Sequence, residues 1–268
     1  MAAILANMSP AEPVRSAAVP SGGGSGPTRP ELIVHRGANS ADALLDVPAA
    51  AHCVEIDVHR RRSGRLEVRH AKRLWGTRRL WEKWYLLPPD APVPELGELL
   101  PLVAQRPGLT LWVDCKGVVA RMADDVTALL EAAGIDGATL SSKSWWVLAR
   151  AASRPGPRPR LVRSVGNKAE LAVLRRLPSA VPLDGVVVHR RLLTAELVAD
   201  LQRRYRWVFT WSVPDRATAD RLLGWGVDGL IIDDTALLAA LDPTGAPAVG
   251  VPEVDDGGPG REFGDPPG

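Results

Sequence analysis

The chain has 268 residues, 46% of them hydrophobic, and a formal charge of +2. That is enough apolar side chain for one medium-sized domain, and no run approaches the length of a membrane-spanning helix. The two cysteines, Cys53 and Cys115, both fall inside strand-like runs, which argues against a disulfide framework.

Residues 1–30 and 242–268 are poor in strong hydrophobes and rich in Gly and Pro, as in Ser21-Gly22-Gly23-Gly24-Ser25-Gly26-Pro27. Such segments bury too little apolar area to offset their ordering entropy, so both are expected to be disordered tails around one domain at 31–241. The C-terminal tail sets six acids against Arg261, which leaves the body mildly basic and suited to an anionic ligand. The first residues lack a basic stretch followed by an apolar core, so a cytoplasmic location is expected.

Along the body, short β-branched runs alternate with helical patterns. Strands are expected at 32–35, 53–58, 109–115, 138–142, 160–164, 184–189, 206–211 and 228–233. Helices are expected at Ala41–Ala51, Leu96–Gln105, Ala120–Ala133, Ser144–Ala152, Lys168–Leu177, Thr194–Arg204 and Arg216–Trp225. Eight strands alternating with helices predict parallel β/α units, and eight is the number that closes a (β/α)8 TIM barrel. The open doubly wound alternative is weakened because no Gly-x-Gly-x-x-Gly follows the first strand.

One connection is irregular. Ser63-Gly64 between two extended runs reads as a hairpin turn, so the second strand is expected to be prolonged into a hairpin that folds His70 back over the barrel mouth. Residues 71–93 then read as a long loop carrying Trp75, Arg78, Arg79, Trp81, Lys83, Trp84 and Tyr85. Basic residues interleaved with aromatics can bind single-stranded nucleic acid or lipid headgroups. The plainer expectation is solvated arginines around core-anchoring tryptophans, in a loop that covers the substrate beside His70.

Glu55 and Asp57 are two apart on a strand and therefore share a face, while Val54, Ile56 and Val58 take the other. Asp114 and Lys116 repeat the spacing on the next barrel strand. Three carboxylates from two strands form a hard oxygen site suited to Mg²⁺ or Ca²⁺, or else a salt-bridge cluster neutralised by Lys116 and nearby arginines. His35 and His70 each end an extended run near these acids, a placement that suits a general acid–base pair. His52, His59 and His189 are expected to be non-catalytic.

The order His35-Arg36-Gly37, Glu55-x-Asp57, His70, Asp114-x-Lys116, Trp211 and Gly226-Val227-Asp228-Gly229 resembles the glycerophosphodiester phosphodiesterase family. Val93-Pro94-Glu95-Leu96, Ser141-Ser142-Lys143 and Trp211-Ser212-Val213 are similar to further family segments. The resemblance implies a TIM barrel in which Glu55, Asp57 and Asp114 hold one divalent cation and His35 and His70 form the acid–base pair. It also implies that Arg36 and Lys116 bind phosphate oxygens, and that Trp211 walls a pocket for a small phosphodiester or lysolipid. The implied activity is hydrolysis of glycerophosphodiesters to glycerol phosphate and an alcohol, with no nucleic-acid partner. The chain departs from the family pattern at Ala38-Asn39-Ser40, where a glutamate is missing, at Asp114, which replaces a glutamate, and at Ala71. The short first loop and the Asp-x-Lys pair are similar to sphingomyelinase-D-like phospholipases, which form cyclic phosphates from lysophospholipids. A non-catalytic module for anionic ligands is the third reading.

Overall fold

The computed structural model describes residues 29–74, 79–82, 85–88, 90–176 and 181–242. The expected tails therefore lie almost wholly outside the described residues. The chain enters through β1 (Glu31–Val34), α1 (Ala41–Leu45) and β2 (Cys53–Arg60), which turns into the antiparallel β3 (Leu66–Val68). A small antiparallel sheet follows, β4 (Lys72–Arg73), β5 (Leu80–Glu82) and β6 (Tyr85–Leu86). Regular alternation then sets in with α2 (Leu96–Ala104), β7 (Thr110–Lys116), α3 (Met122–Ala132), β8 (Thr139–Ser142), α4 (Trp145–Ala152) and β9 (Arg160–Val165). It continues through α5 (Lys168–Arg176), β10 (Gly185–His189), α6 (Ala195–Gln202), β11 (Trp207–Val213), α7 (Arg216–Gly224), β12 (Gly229–Ile232) and α8 (Thr235–Leu241).

Strands β1, β2, β7, β8, β9, β10, β11 and β12 are parallel neighbours, and β12 pairs back onto β1, so the sheet closes into the expected eight-stranded barrel. Side-chain alternation divides its residues between two cores. Leu32, Val34, Val54, Ile56, Leu111 and Val113 face outward and pack beneath the helices. Ile33, Cys53, Trp112, Val162, Val187, Phe209 and Ile231 face inward and fill the barrel, with Trp112 and Phe209 edge to face at 4.9 Å. Gly185 and Gly229 make this possible. A Cβ on Gly185 would stand 2.7 Å from the Trp207 carbonyl, and one on Gly229 would stand 2.8 Å from both the Glu31 carbonyl and the Phe209 ring.

Parity also fixes what lies above that plug. Two residues further along each strand, towards the C-terminal end of the barrel, the inward positions are His35, Glu55, Asp114, Ser141, Ser164, His189, Trp211 and Asp233. The polar residues embedded in apolar strands thus gather at one mouth, where the loops after parallel strands converge.

Two expectations are corrected and one is met. The first helix ends at Leu45 rather than Ala51, because Pro48 cannot donate the next helical hydrogen bond and the carbonyls of Leu44 and Val47 accept from the Arg106 guanidinium instead. The expected prolongation of the second strand into a hairpin is present: β2 runs on to Arg60, and Val58, His59 and Arg60 pair with β3 across a turn where Gly64 has φ +95°. The segment 71–93 is not a plain loop but carries the β4–β6 sheet, with Lys72 opposite Trp81 and Glu82 opposite Tyr85. Trp81 and Tyr85 do not anchor in the core: they are 41% and 56% exposed. Trp75, Arg78, Lys83 and Trp84 lie outside the described residues.

Candidate active site

The barrel mouth opens into a cavity of about 600 Å³ lined by His35, Arg36, Glu55, His70, Asp114, Lys116 and Trp211 among others. Asp57 lies just beneath its surface and is fully buried. All eight site residues expected from the sequence are therefore brought together. The plug of Trp112, Val187 and Ile231 forms the floor.

The turn after β1 does two jobs. Arg36 adopts a left-handed conformation with φ +56°, which is costly for a residue with a side chain. Its amide donates to Glu55 Oε2 at 2.8 Å, and this bond holds the turn against the strand beside it. Gly37 must follow, because a Cβ there would come within 2.7 Å of Val34 Cγ1. The Arg36 guanidinium lies over the acids, with Nε 3.5 Å from Asp57 Oδ2 and a terminal nitrogen 4.0 Å from Glu82 Oε1. Arg36 Nε is buried and, although ion-paired with Asp57, makes no hydrogen bond.

Glu55, Asp57 and Asp114 each offer an oxygen within 4.8 Å of the others. Burial and the neighbouring Asp57 charge push Glu55 up to about 8. Asp57 moves the other way. Burial works against its charge, but the Lys116 ammonium 2.7 Å from Oδ1 and a 3.0 Å hydrogen bond from Asn39 Nδ2 hold its carboxyl below the usual range. Lys116 also hydrogen-bonds Asp114, and these two carboxylates raise its ammonium well above the ordinary lysine value in spite of burial. Ser141 donates to Asp114 Oδ1 at 2.9 Å while accepting from Trp112 Nε1 at 2.8 Å, which ties the acid to the plug. The salt-bridge reading is thus correct as far as it goes, since Lys116 and Arg36 offset Asp57 and Asp114, while Glu55 keeps its proton at neutral pH. The three carboxylates are an all-oxygen donor set within reach of one another, which fits a hard divalent cation able to displace that proton.

Each of the two histidines is held by a carboxylate that sequence reasoning did not single out. His35 donates through Nδ1 to Asp233, and its Nε2 lies 4.0 Å from Glu55 Oε2. Burial pulls the imidazolium down, but Asp233 and Glu55 outweigh it and the net shift is upward. His35 in turn keeps Asp233 down at about 2. His70 donates through Nδ1 to Glu82 Oε1 at 2.6 Å, and burial together with the Arg36 charge moves it downward. Asp233 could have been found, since it follows Ile231 by two on a barrel strand. Glu82 gives no such signal, because it reaches the site only through the fold of β5.

The other histidines divide. His52 accepts the Leu32 amide through Nδ1 at 3.0 Å and is structural. His189 accepts the Arg191 amide at 3.2 Å and meets Trp211 edge to face at 4.8 Å. His59 lines the cavity beside Lys116, and burial with the Arg69 and Lys116 charges pushes it down to about 3, so it faces the site as a neutral ring.

By sequence, the chain matches no family model and no curated protein. Comparison of structures is different. A putative glycerophosphoryl diester phosphodiesterase from Silicibacter pomeroyi superimposes with a TM-score of 0.66 at 19% identity, over 80% of this chain and 93% of that one. A phosphodiesterase from Oleispira antarctica, in complex with the product sn-glycerol-3-phosphate, gives 0.61 at 21% identity, over 80% and 97%. A glycerophosphodiester phosphodiesterase from Thermotoga maritima gives 0.61 at 17% identity, over 80% and 98%. This chain shares their fold. Identities this low carry the barrel across and leave the chemistry to be argued from the side chains.

Proposed function

We propose that this chain is a metal-dependent phosphodiesterase that hydrolyses a glycerophosphodiester to glycerol phosphate and an alcohol. One observation carries the reading: two carboxylates line a single cavity at the C-terminal end of a (β/α)8 barrel, a third lies clustered with them just beneath its surface, and two carboxylate-anchored histidines face the same cavity. The Oleispira antarctica protein of the same fold binds sn-glycerol-3-phosphate, which is a product of this type.

Glu55, Asp57 and Asp114 would hold the cation, Mg²⁺ or Ca²⁺, which supplies positive charge against the phosphoryl oxygens. Arg36 has a buried Nε donor without a hydrogen bond in the same cavity, and with Lys116 it binds the remaining non-bridging oxygens. Asp233 and Glu82 each occupy the Nδ1 of a histidine, so the Nε2 atoms of His35 and His70 do the proton work. One Nε2 accepts a proton from the water that attacks phosphorus, and the other gives a proton to the departing alcohol oxygen. A non-catalytic module for anionic ligands would need no such pair. Trp211 forms an apolar wall for the organic part of the substrate.

The short turn between β1 and α1 favours a second reading with the same residues, in which a substrate hydroxyl attacks phosphorus and a cyclic phosphate of a lysolipid is the product. The deciding experiment incubates chelator-stripped protein with glycerophosphocholine or lysophosphatidylcholine, with and without Mg²⁺ or Ca²⁺, and follows products by phosphorus NMR. Linear glycerol phosphate supports hydrolysis and a cyclic phosphate supports the second reading. No turnover with either metal by folded protein overturns both.

A further inference from the structure

Among the described residues ten large apolar side chains are exposed, and all but Leu45, Leu102 and Val173 stand around the barrel mouth. Trp81, Tyr85 and Leu86 come from β5 and β6, at 41%, 56% and 39% exposure. Val118 and Val119, at 73% and 50%, follow the cavity residue Gly117 in the loop after β7. Trp146, at 58%, is the second residue of α4, three residues after the cavity residue Lys143, with its ring centre 4.3 Å from that of Trp145. The strands that precede these segments, β2, β7 and β8, are consecutive around the barrel. The apolar groups thus form one arc on the rim of the cavity rather than a scatter over the surface. Soluble proteins do not ordinarily leave such an arc in water.

The arc carries positive charge. Lys72 and Arg79 are exposed beside it, and Lys72 lines the cavity together with Lys143, which is paired with Glu170 at 3.0 Å. Among the described residues of the β4–β6 segment, Lys72, Arg73 and Arg79 stand against the acid Glu82, with Arg73 also paired with Glu67. Tryptophan and tyrosine with a basic fringe are the side chains that settle at a lipid–water boundary. Val118, Val119 and Leu86 discriminate against the rival ligand of a basic aromatic surface, single-stranded nucleic acid, because bases stack on rings and gain nothing from aliphatic groups that hydrocarbon solvates well.

We propose that the rim of the barrel mouth is a membrane-docking face that seats on an anionic phospholipid bilayer and opens the catalytic cavity directly onto the headgroup layer. Docking in this pose gives the cavity access to phosphodiesters that stay anchored in the bilayer, as well as to those free in solution. The claim concerns binding, so it stands or falls apart from the phosphodiesterase reading.

The test floats the full chain with phosphatidylcholine vesicles, with or without phosphatidylglycerol as a minor lipid. Protein should rise with the anionic vesicles and much less with pure phosphatidylcholine, and added salt should weaken the effect. Trp146→Ser and Tyr85→Ser should each lower the bound fraction by roughly threefold to tenfold with an unchanged melting temperature, and Val118→Ser should act in the same direction. Val173→Ser, an equally exposed apolar residue on α5, should leave binding unaltered. Failure to float with any vesicle overturns the proposal, as does equal loss in Val173→Ser. Retention on a single-stranded oligonucleotide or a dimer in solution, lost in the rim variants without vesicle binding, overturns it in favour of those partners.

Discussion

At the N-terminal end of the barrel, Arg160 and Glu31 meet in a two-pronged ion pair with bonds of 2.9 and 2.8 Å. The third face of that guanidinium donates to Thr139 Oγ1 at 2.8 Å, and its carbon sits 4.9 Å from the centre of the Phe209 ring and 5.5 Å from that of Trp207. At the C-terminal end Lys116 bridges Asp57 and Asp114, Glu55 accepts the Arg36 amide instead, and Arg36 Nε makes no hydrogen bond. The same residue types occupy inward positions of the same sheet, yet at one end the charges are matched and at the other they are mismatched. Charges that are satisfied internally hold a fold together. Charges left over are available to a ligand, and the molecule bears their cost until one arrives.

This contrast can be broken at either end. The largest effect expected is at the mouth, where His35→Ala should lower turnover by roughly 10²–10⁴-fold, the usual contribution of a positioned acid or base. The melting temperature should barely move, because the partner Asp233 has 59% of its side chain exposed and loses little when left alone. Arg160→Met should do the reverse. It leaves Glu31 unpaired inside the aromatic box at a cost of about 3 kcal/mol, near the lower end for a buried pair because both partners keep some solvent contact. A fall of roughly 6–12 °C in melting temperature with unchanged turnover per folded molecule would sustain the comparison, and equal loss of both would break it.

Divalent cation should stabilise the mouth. Mg²⁺ or Ca²⁺ at a hundred times its dissociation constant should add about 2.7 kcal/mol to the chelator-stripped protein, seen as a rise in melting temperature, and Asp57→Asn should abolish the rise. The smallest effect sharpens the picture most. In the metal-stripped protein Glu55 titrates near 8, well above its unfolded value, so between those two pH values the native state binds more protons than the unfolded one. Stability should therefore be fully present below the unfolded value, fall as pH rises through that window, and level off above about 8. Glu55→Gln should flatten this decline and raise the melting temperature at neutral pH by the equivalent of on the order of 1–2 kcal/mol.

Much of this was readable in the residues. The eight strand-like runs all became barrel strands, because an inward and outward alternation repeated eight times has few ways to bury both faces. His35, Glu55, Asp57 and Asp114 stood out because ionisable groups inside apolar runs demand an explanation, and all four reach the cavity or lie just beneath it. Asn39, which pairs with Asp57 through both its amide and its carbonyl, was visible only as an unexplained Ala38-Asn39-Ser40. Arg160 looked like an ordinary strand residue, since nothing local reveals that Glu31 lies across the barrel from it.

Sequence alone determined which residues share a face, because strand alternation is a local property of the backbone, and with that the barrel and the membership of the acid cluster. Tertiary structure alone decided which carboxylate serves which histidine, since Asp233 and Glu82 are brought to His35 and His70 by barrel closure and by the β4–β6 sheet. It also decided that Trp81 and Tyr85 face water at the mouth rather than the core. Pairings across such distances in the chain depend on how the ends of the sheet meet, which is a property of closure and not of any stretch of sequence.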